Sequence, residues 1–324
     1  MTQMILPFRN EKAFDFCRRL ADLPQADEYV FCIGPTDEAA PLDLLLTCAA
    51  FRQLQSVYPD AACRFLPAAD VDEDAPEAED DTLLPPLPIN VEQWMRDAAS
   101  AGNFTDRVDV IEENCQTYAR MLAPQSPELR RLFQYMLREA IRNAPEHGET
   151  NRLWICGRIW PDRPGRPAEL AVLDEGIGIH QSLARNSRHR EFLSSNLEAL
   201  EWALKPGVSA AFDPARGNRS SDPYANSGYG LYMIQQICRM TGGSMTLVSC
   251  EDALHLLPDD AKAEKACLHG TALAMRIHTD KVHSCQELID RARRQGEKEA
   301  RTIRNAFRTA SVPSRGLLKE DQDP

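Results

Sequence analysis

Glu139 and Asn143 stand four residues apart in Arg138-Glu-Ala-Ile-Arg-Asn-Ala-Pro-Glu-His-Gly148. On a helix that spacing projects both side chains from one face. A carboxylate beside a carboxamide can hold a divalent cation and orient a water. Three glycine-bearing segments follow: Asp174-Glu-Gly-Ile-Gly178, Ser227-Gly-Tyr-Gly-Leu231 and His269-Gly-Thr-Ala272. Asp174 can accept a hydrogen bond from an exocyclic amine, and Gly176 and Gly178 let the backbone approach a ligand with no Cβ in the way. Gly228 and Gly230 open a helical pattern, where free amides and the helix dipole favour phosphate. Thr271 can donate its hydroxyl to the same network. A helical Glu-Asn pair alone is common, and Asp-x-Gly-x-Gly alone is also a turn sequence. The order of all the segments carries the information.

Together these segments resemble the nucleotide site of the GHKL ATPases, the superfamily of the ATP-binding part of DNA gyrase, MutL, the sensor histidine kinases and the anti-sigma-factor serine kinases. The resemblance covers about residues 126 to 278. It implies a two-layer α/β sandwich, the Bergerat ATP-binding fold, over residues 125–280, with ATP and Mg²⁺ as cofactors. Glu139 would then activate the attacking water and Asn143 would hold Mg²⁺. The cation prefers oxygen ligands and binds through one or two protein groups plus phosphates, a role that a neutral amide suits. Asp174, with Gly176 and Gly178, would recognise adenine. Gly228, Gly230, Leu231 and Thr271 would complete the nucleotide site, and His147 stands where many members carry a basic residue or histidine. Two rival nucleotide motifs fail. Gly176-Ile-Gly178 has Gln181 where a dinucleotide fingerprint needs its third glycine, and no Gly-x-x-x-x-Gly-Lys loop occurs.

The elements that must position these residues are visible in the pattern. Ser126 as cap, Pro127 at the first helical position and Glu128 in the first turn start a helix. Leu129, Leu132, Phe133, Met136, Leu137 and Ala140 form its apolar stripe. Pro145 should end or kink it. Strands are expected at Leu153 to Trp160 and Glu169 to Leu173, so that Asp174 leaves a strand end, where ligand loops commonly sit. Residues 179–227 form a polar insertion in the place of the superfamily's ATP lid, interrupted by a helix over 196–205. A helix over 228–240, a strand over 245–249, a connection over 251–268 and a strand over 271–277 complete the unit.

Residues 1–124 predict a small α/β domain preceding that unit. A helix over 11–20, a strand at Tyr29 to Ile33, a helix from Asp43 to Leu54 and a strand at Cys63 to Leu66 follow one another. This periodicity resembles a STAS-like regulatory domain over roughly residues 1–100, with Thr36 near the place of its regulatory hydroxyl. Thr36 also reads simply as a turn residue. Ala69 to Asp81 is acidic and is followed by Pro85-Pro-Leu-Pro88, so residues 69–88 predict a linker. Val91 to Ser100 reads as a helix closed at Gly102, and Val108 to Ile111 as a strand.

The chain has 324 residues, 43% hydrophobic and 27% charged, the balance of an ordinary folded protein. A net charge of −12 argues against nucleic acid as a partner. Neither a signal-like start nor an apolar run of about 20 residues is visible, so a cytoplasmic protein without membrane association is expected. Ten cysteines lack Cys-x-x-Cys spacing and read as small buried hydrophobes. Residues 281–324 predict a helical, partly disordered tail, with the last dozen residues disordered. No histidine precedes Asn143, which argues against an autokinase. Three functions follow from the resemblance. The first is Mg-dependent ATP hydrolysis that drives a lid-closing switch and changes the arrangement of the amino-terminal module; a protein partner or regulated protein is also expected. The second is a kinase acting in trans on a partner, like the anti-sigma-factor kinases. The third is a non-catalytic nucleotide-binding regulatory module.

Overall fold

A computed structural model of the chain describes residues 3–8, 13–33, 39–67, 82–102, 106–211 and 227–316. The first strands, β1 (Gln3–Phe8), β2 (Glu28–Ile33) and β3 (Ala62–Pro67), form a parallel three-stranded sheet in the order β1-β2-β3. Helices α1 (Ala13–Ala21) and α2 (Pro41–Val57) connect them and pack together. This is the small α/β unit expected from the periodicity, with β1 as an unforeseen first strand. Thr36 lies outside the described residues.

The larger sheet has seven strands in the order β4-β5-β6-β10-β7-β8-β9, and every neighbouring pair is antiparallel. Its strands are β4 (Thr82–Asn90), β5 (Arg152–Ile159), β6 (Pro167–Asp174), β7 (Ser244–Ser249), β8 (Asp252–Leu256), β9 (Ala261–Lys265) and β10 (Thr271–His278). Alternation along the strands gives the sheet two apolar faces. Leu153, Ile155, Leu170, Val172, Leu247, Leu273 and Met275 point to one. That face carries α3 (Val91–Ser100), α4 (Arg107–Leu122), α5 (Pro127–Asn143), α8 (Gly230–Met240) and α9 (Cys285–Ala300). The other face presents small or short side chains, among them Cys156, Ala171, Val248, Ala272 and Ala274, and α2 lies on it through Leu42, Leu45, Leu46 and Ala49. The second face of the sheet is apolar, and the amino-terminal unit buries it.

Several boundaries move for identifiable reasons. The linker expected over 69–88 becomes edge strand β4 from Thr82 onward, and residues 69–81 lie outside the described residues. Pro85 and Pro86 fall at the irregularity between Leu84 and Leu87 in its pairing with β5. An edge strand tolerates their missing amides. The strand expected at Val108 to Ile111 is part of α4, which Asp106 caps by accepting from the amides of Val108 and Asp109. β4, α3 and α4, which the sequence reading assigns to the amino-terminal domain, pack with the seven-stranded sheet. The connection expected over 251–268 contains the β8–β9 hairpin. β9 (Ala-Lys-Ala-Glu-Lys) is largely exposed and charged, as befits a protected sheet edge.

The carboxy-terminal segment is not a loose appendage. Helix α9 buries Leu288, Ile289 and Ala292 in the main core, and Pro313 and Ser314 are buried within a final turn. Of the last dozen residues, expected to be disordered, residues 313–316 have partners on α5, and residues 317–324 lie outside the described residues. Among the described residues no helix is long and apolar enough to cross a membrane. The eight cysteines whose side chains are described are free, and five of them are buried. Burial pushes the Cys156 and Cys285 thiols up to about 12, so they pack as apolar groups.

Candidate functional site

Helix α5 begins as its sequence directs: the Ser126 side chain accepts from the Leu129 amide, and Pro127 occupies the first turn. It ends at Asn143, and Ala144–Gly148 continue as one wide π-helical turn containing Pro145. Such turns absorb a break in the ordinary ladder and recur at functional sites. Here the turn leads His147 and Gly148 to the wall of an open cleft of about 790 Å³, a figure that includes solvent at its mouth. Asn143 and Ala140 line the same wall.

Strand register brings the next two segments together. Asp174, the last residue of β6, is paired with Thr271, the first residue of β10, and both line the cleft. The Asp174 carboxylate accepts from the Gly176 amide at 2.8 Å. It is 8% exposed, and burial raises its pKa to about 6 against the opposing pull of the Gly176 and Thr271 amides and His269. Gly176 is required here because a Cβ would stand 2.2 Å from the Gly148 carbonyl oxygen. The Ile177 amide donates to that same oxygen at 3.0 Å, tying the Asp174 loop to the π-helical turn. Gly176 thus shapes the cleft from behind, whereas Gly178 lines it directly.

The fourth wall is the start of α8. Gly228, Gly230 and Leu231 all line the cleft. Gly228 has φ 70°, and a Cβ there would meet the Val208 carbonyl oxygen at 2.1 Å. The Gly207 amide donates to the Gly228 carbonyl, so the chain just after the insertion's second helix is stitched to the start of α8. That insertion carries α6 (Ile179–Ala184) and α7 (Asn196–Ala203), and residues 212–226 of it lie outside the described residues. It has a small core of its own, formed by Leu183, Leu193, Ala199, Trp202 and Val208. At its centre His189 is buried between two partners: Trp202 Nε1 donates to Nδ1 at 3.1 Å, and Nε2 meets the Ser209 carbonyl at 2.9 Å. Only the neutral ring protonated on Nε2 satisfies both, and desolvation holds the pKa of His189 down accordingly.

Sequence reasoning and geometry part company at Glu139. It is 4% exposed and does not line the cleft. Its Oε2 lies behind Gly230, where a Cβ would approach it to 2.9 Å. Arg138, fully buried, pairs with Glu139 Oε1 at 3.1 Å and with Glu112 at 2.8 Å. Asn143, Asp174, Gly178, Gly228, Gly230, Leu231 and Thr271 thus converge on one cleft, with Gly176 shaping it and Glu139 one helical turn away. Sequence reasoning missed Val172, Leu247 and Leu273, which give the cleft an apolar floor, and Ser182, Leu183 and Val208 from the insertion. The floor residues were visible only as strand positions. The insertion residues carry no local signal.

Among the described residues, no group of three His, Cys, Asp or Glu side chains could hold a metal ion by itself. A comparison with protein-family models, with curated proteins and with solved structures gave no match to this chain.

Proposed function

We propose that the chain binds ATP together with Mg²⁺ in the manner of the GHKL superfamily, using a Bergerat-type sheet whose second face is covered by the amino-terminal unit. One observation carries this reading. Segments separated by up to 128 residues, at Asn143, Asp174, Gly228 to Leu231 and Thr271, meet at a single cleft. The cleft has the chemistry of an adenine nucleotide: an apolar floor for the base, a buried carboxylate for its amino group, and a glycine-opened helix start for phosphates.

The donor set also fits the cation. Magnesium that arrives on phosphates needs only one or two protein oxygens, and the Asn143 amide can supply one. When bound, the cation would neutralise phosphate charge. The protein's own contribution is to orient the base on Asp174, exclude water with the Leu183 and Val208 side of the insertion, and present the α8 amides.

Hydrolysis coupled to movement of the lid-like insertion is the first activity to test. A non-catalytic nucleotide-binding module is the second reading, and the engagement of Glu139 away from the cleft favours it. Titration calorimetry with Mg-ATP on the full chain, alongside Asp174→Asn and Asn143→Ala, tests binding. Phosphate release with Glu139→Ala, and transfer of labelled phosphate to protein, separates hydrolysis from a kinase acting in trans on a partner. Folded protein that does not bind ATP would refute the proposal.

A further inference from the structure

The carboxy-terminal turn reaches Glu139, which stands behind the cleft wall. Ser314 Oγ donates to Glu139 Oε2 at 3.0 Å, and Arg138 occupies Oε1 at 3.1 Å. The same guanidinium donates to the carbonyls of Pro313 and Gly316, and Tyr135 donates from its hydroxyl to the Ser314 carbonyl at 3.0 Å. Ser314 and Tyr135 are 3% and 0% exposed. The segment 311–316 is therefore docked specifically, on polar groups of the helix that carries Glu139.

The residues just before it grip the insertion. The Ser311 amide donates to Ser227 Oγ at 2.8 Å, and the Phe307 amide donates to the Gly207 carbonyl at 2.8 Å. Tyr229 donates to the Phe307 carbonyl, and Asn305 to the Arg188 carbonyl. Ala306 joins the insertion's own core. One stretch of chain, 305–316, thus holds the insertion at Arg188 and Gly207, the approach to α8 at Ser227 and Tyr229, and the carboxylate of Glu139.

We infer that residues 311–316 are an intrasteric latch on Glu139. A general base must reach, directly or through one water, the proton it takes. With Ser314 on Oε2, Arg138 on Oε1 and Gly230 between it and the cleft, this carboxylate cannot do so. Withdrawing the segment removes the Ser314 donor and releases the tie at Ser227, so that Oε2 is free to meet a water at the start of α8. The latch rests on the nucleotide reading above and adds its regulation: the resting chain binds ATP but turns it over slowly.

The test compares the full chain, a chain ending at Ala310 and the Ser314→Ala variant, each with Mg-ATP. Affinity is measured by calorimetry and turnover by phosphate release. The latch predicts that the shortened chain binds ATP as before and gains at least about tenfold in kcat, below the full hundred- to ten-thousandfold that a general base supplies. Adding Glu139→Ala to the shortened chain abolishes the gain. Ser314→Ala, which leaves Arg138 its two carbonyl partners, gains in the same direction by a smaller factor, and it decides the matter if the shortened chain does not fold. ATP binding with unchanged or lower kcat in the variants overturns the latch alone. Absence of ATP binding by the full chain overturns the nucleotide reading and the latch with it.

Discussion

Asp174 couples one proton to both the stability of the fold and the chemistry of the cleft. Burial raises its pKa to about 6 from 3.8, with hydrogen bonds from the Gly176 and Thr271 amides acting in the opposite sense. A rise of about two pH units corresponds to ~3 kcal/mol. The folded chain holds this proton more tightly than the unfolded chain does. The resulting stabilisation is fully present below about pH 4 and is lost as the pH rises through about 6. Asp174→Asn keeps the shape and one acceptor but cannot titrate. The stability of the wild-type chain relative to this variant should therefore fall by up to ~3 kcal/mol between about pH 4 and about pH 7.5. Urea midpoints for both chains at a series of pH values read this directly. Glu169, which burial raises to about 7, is common to both chains and cancels from the difference. A difference that stays flat across the range would refute the claim that folding desolvates Asp174. Under the nucleotide reading the same proton controls affinity, because the ionised carboxylate is the better acceptor for an adenine amino group. At about pH 5 roughly one carboxylate in ten is ionised, so ATP should bind up to about tenfold more weakly than at neutral pH. Asp174→Asn should remove that dependence, and the ratio of the two chains' affinities cancels the ligand's own titration.

Gly176→Ala would place a methyl 2.2 Å from the Gly148 carbonyl oxygen and 2.8 Å from the Asp174 carboxylate. The backbone must shift, so a stability loss of about 1–3 kcal/mol is expected in urea denaturation, together with weakened ATP binding. Arg138→Ala leaves Glu112 and Glu139 buried without their cation and should cost about 3–5 kcal/mol, read by the same denaturation. Leu45, 1% exposed between α2 and the seven-stranded sheet, should cost about 2–5 kcal/mol as Leu45→Ala. Unfolding should remain a single transition, since α2 is shared by the two sheets, and two separate transitions would show that they unfold independently.

What the sequence made legible was local. Ser126-Pro-Glu capped α5 as read, the apolar stripe from Leu132 to Ala140 turned inward, and Asp174 emerged at a strand end. These features depend on neighbours a few residues apart. The misread segments depend on distant ones. Thr82 to Pro88 reads as a proline-rich linker until β5 is there to pair with it. Val108 to Ile111 reads as a strand until Asp106 is recognised as a helix cap and Cys115, Ala119 and Leu122 extend the buried face. The second apolar face of the sheet is written mostly in alanines, with Cys156, Leu173 and Val248 among them, and most of these residues are too small to announce burial without the partner helix α2.

Glu139 is the sharpest case, because both its sequence reading and its displacement follow from the same helix. Four residues advance a helix by one turn, about 6 Å along the axis, so Glu139 and Asn143 share a face without sharing surroundings. Asn143 comes at the end of α5, where the π-helical turn opens onto the cleft. Glu139 comes one turn earlier, where α8 begins and Gly230 closes over it. The absence of a side chain at Gly230 admits the carboxylate, and Ser314, 175 residues along the chain, supplies its second partner. A spacing rule can identify the pair. Which member meets the ligand is decided by the chain that packs on the other side of the helix, and removal of the Ser314 hydroxyl is the smallest change that separates a held general base from a structural ion pair.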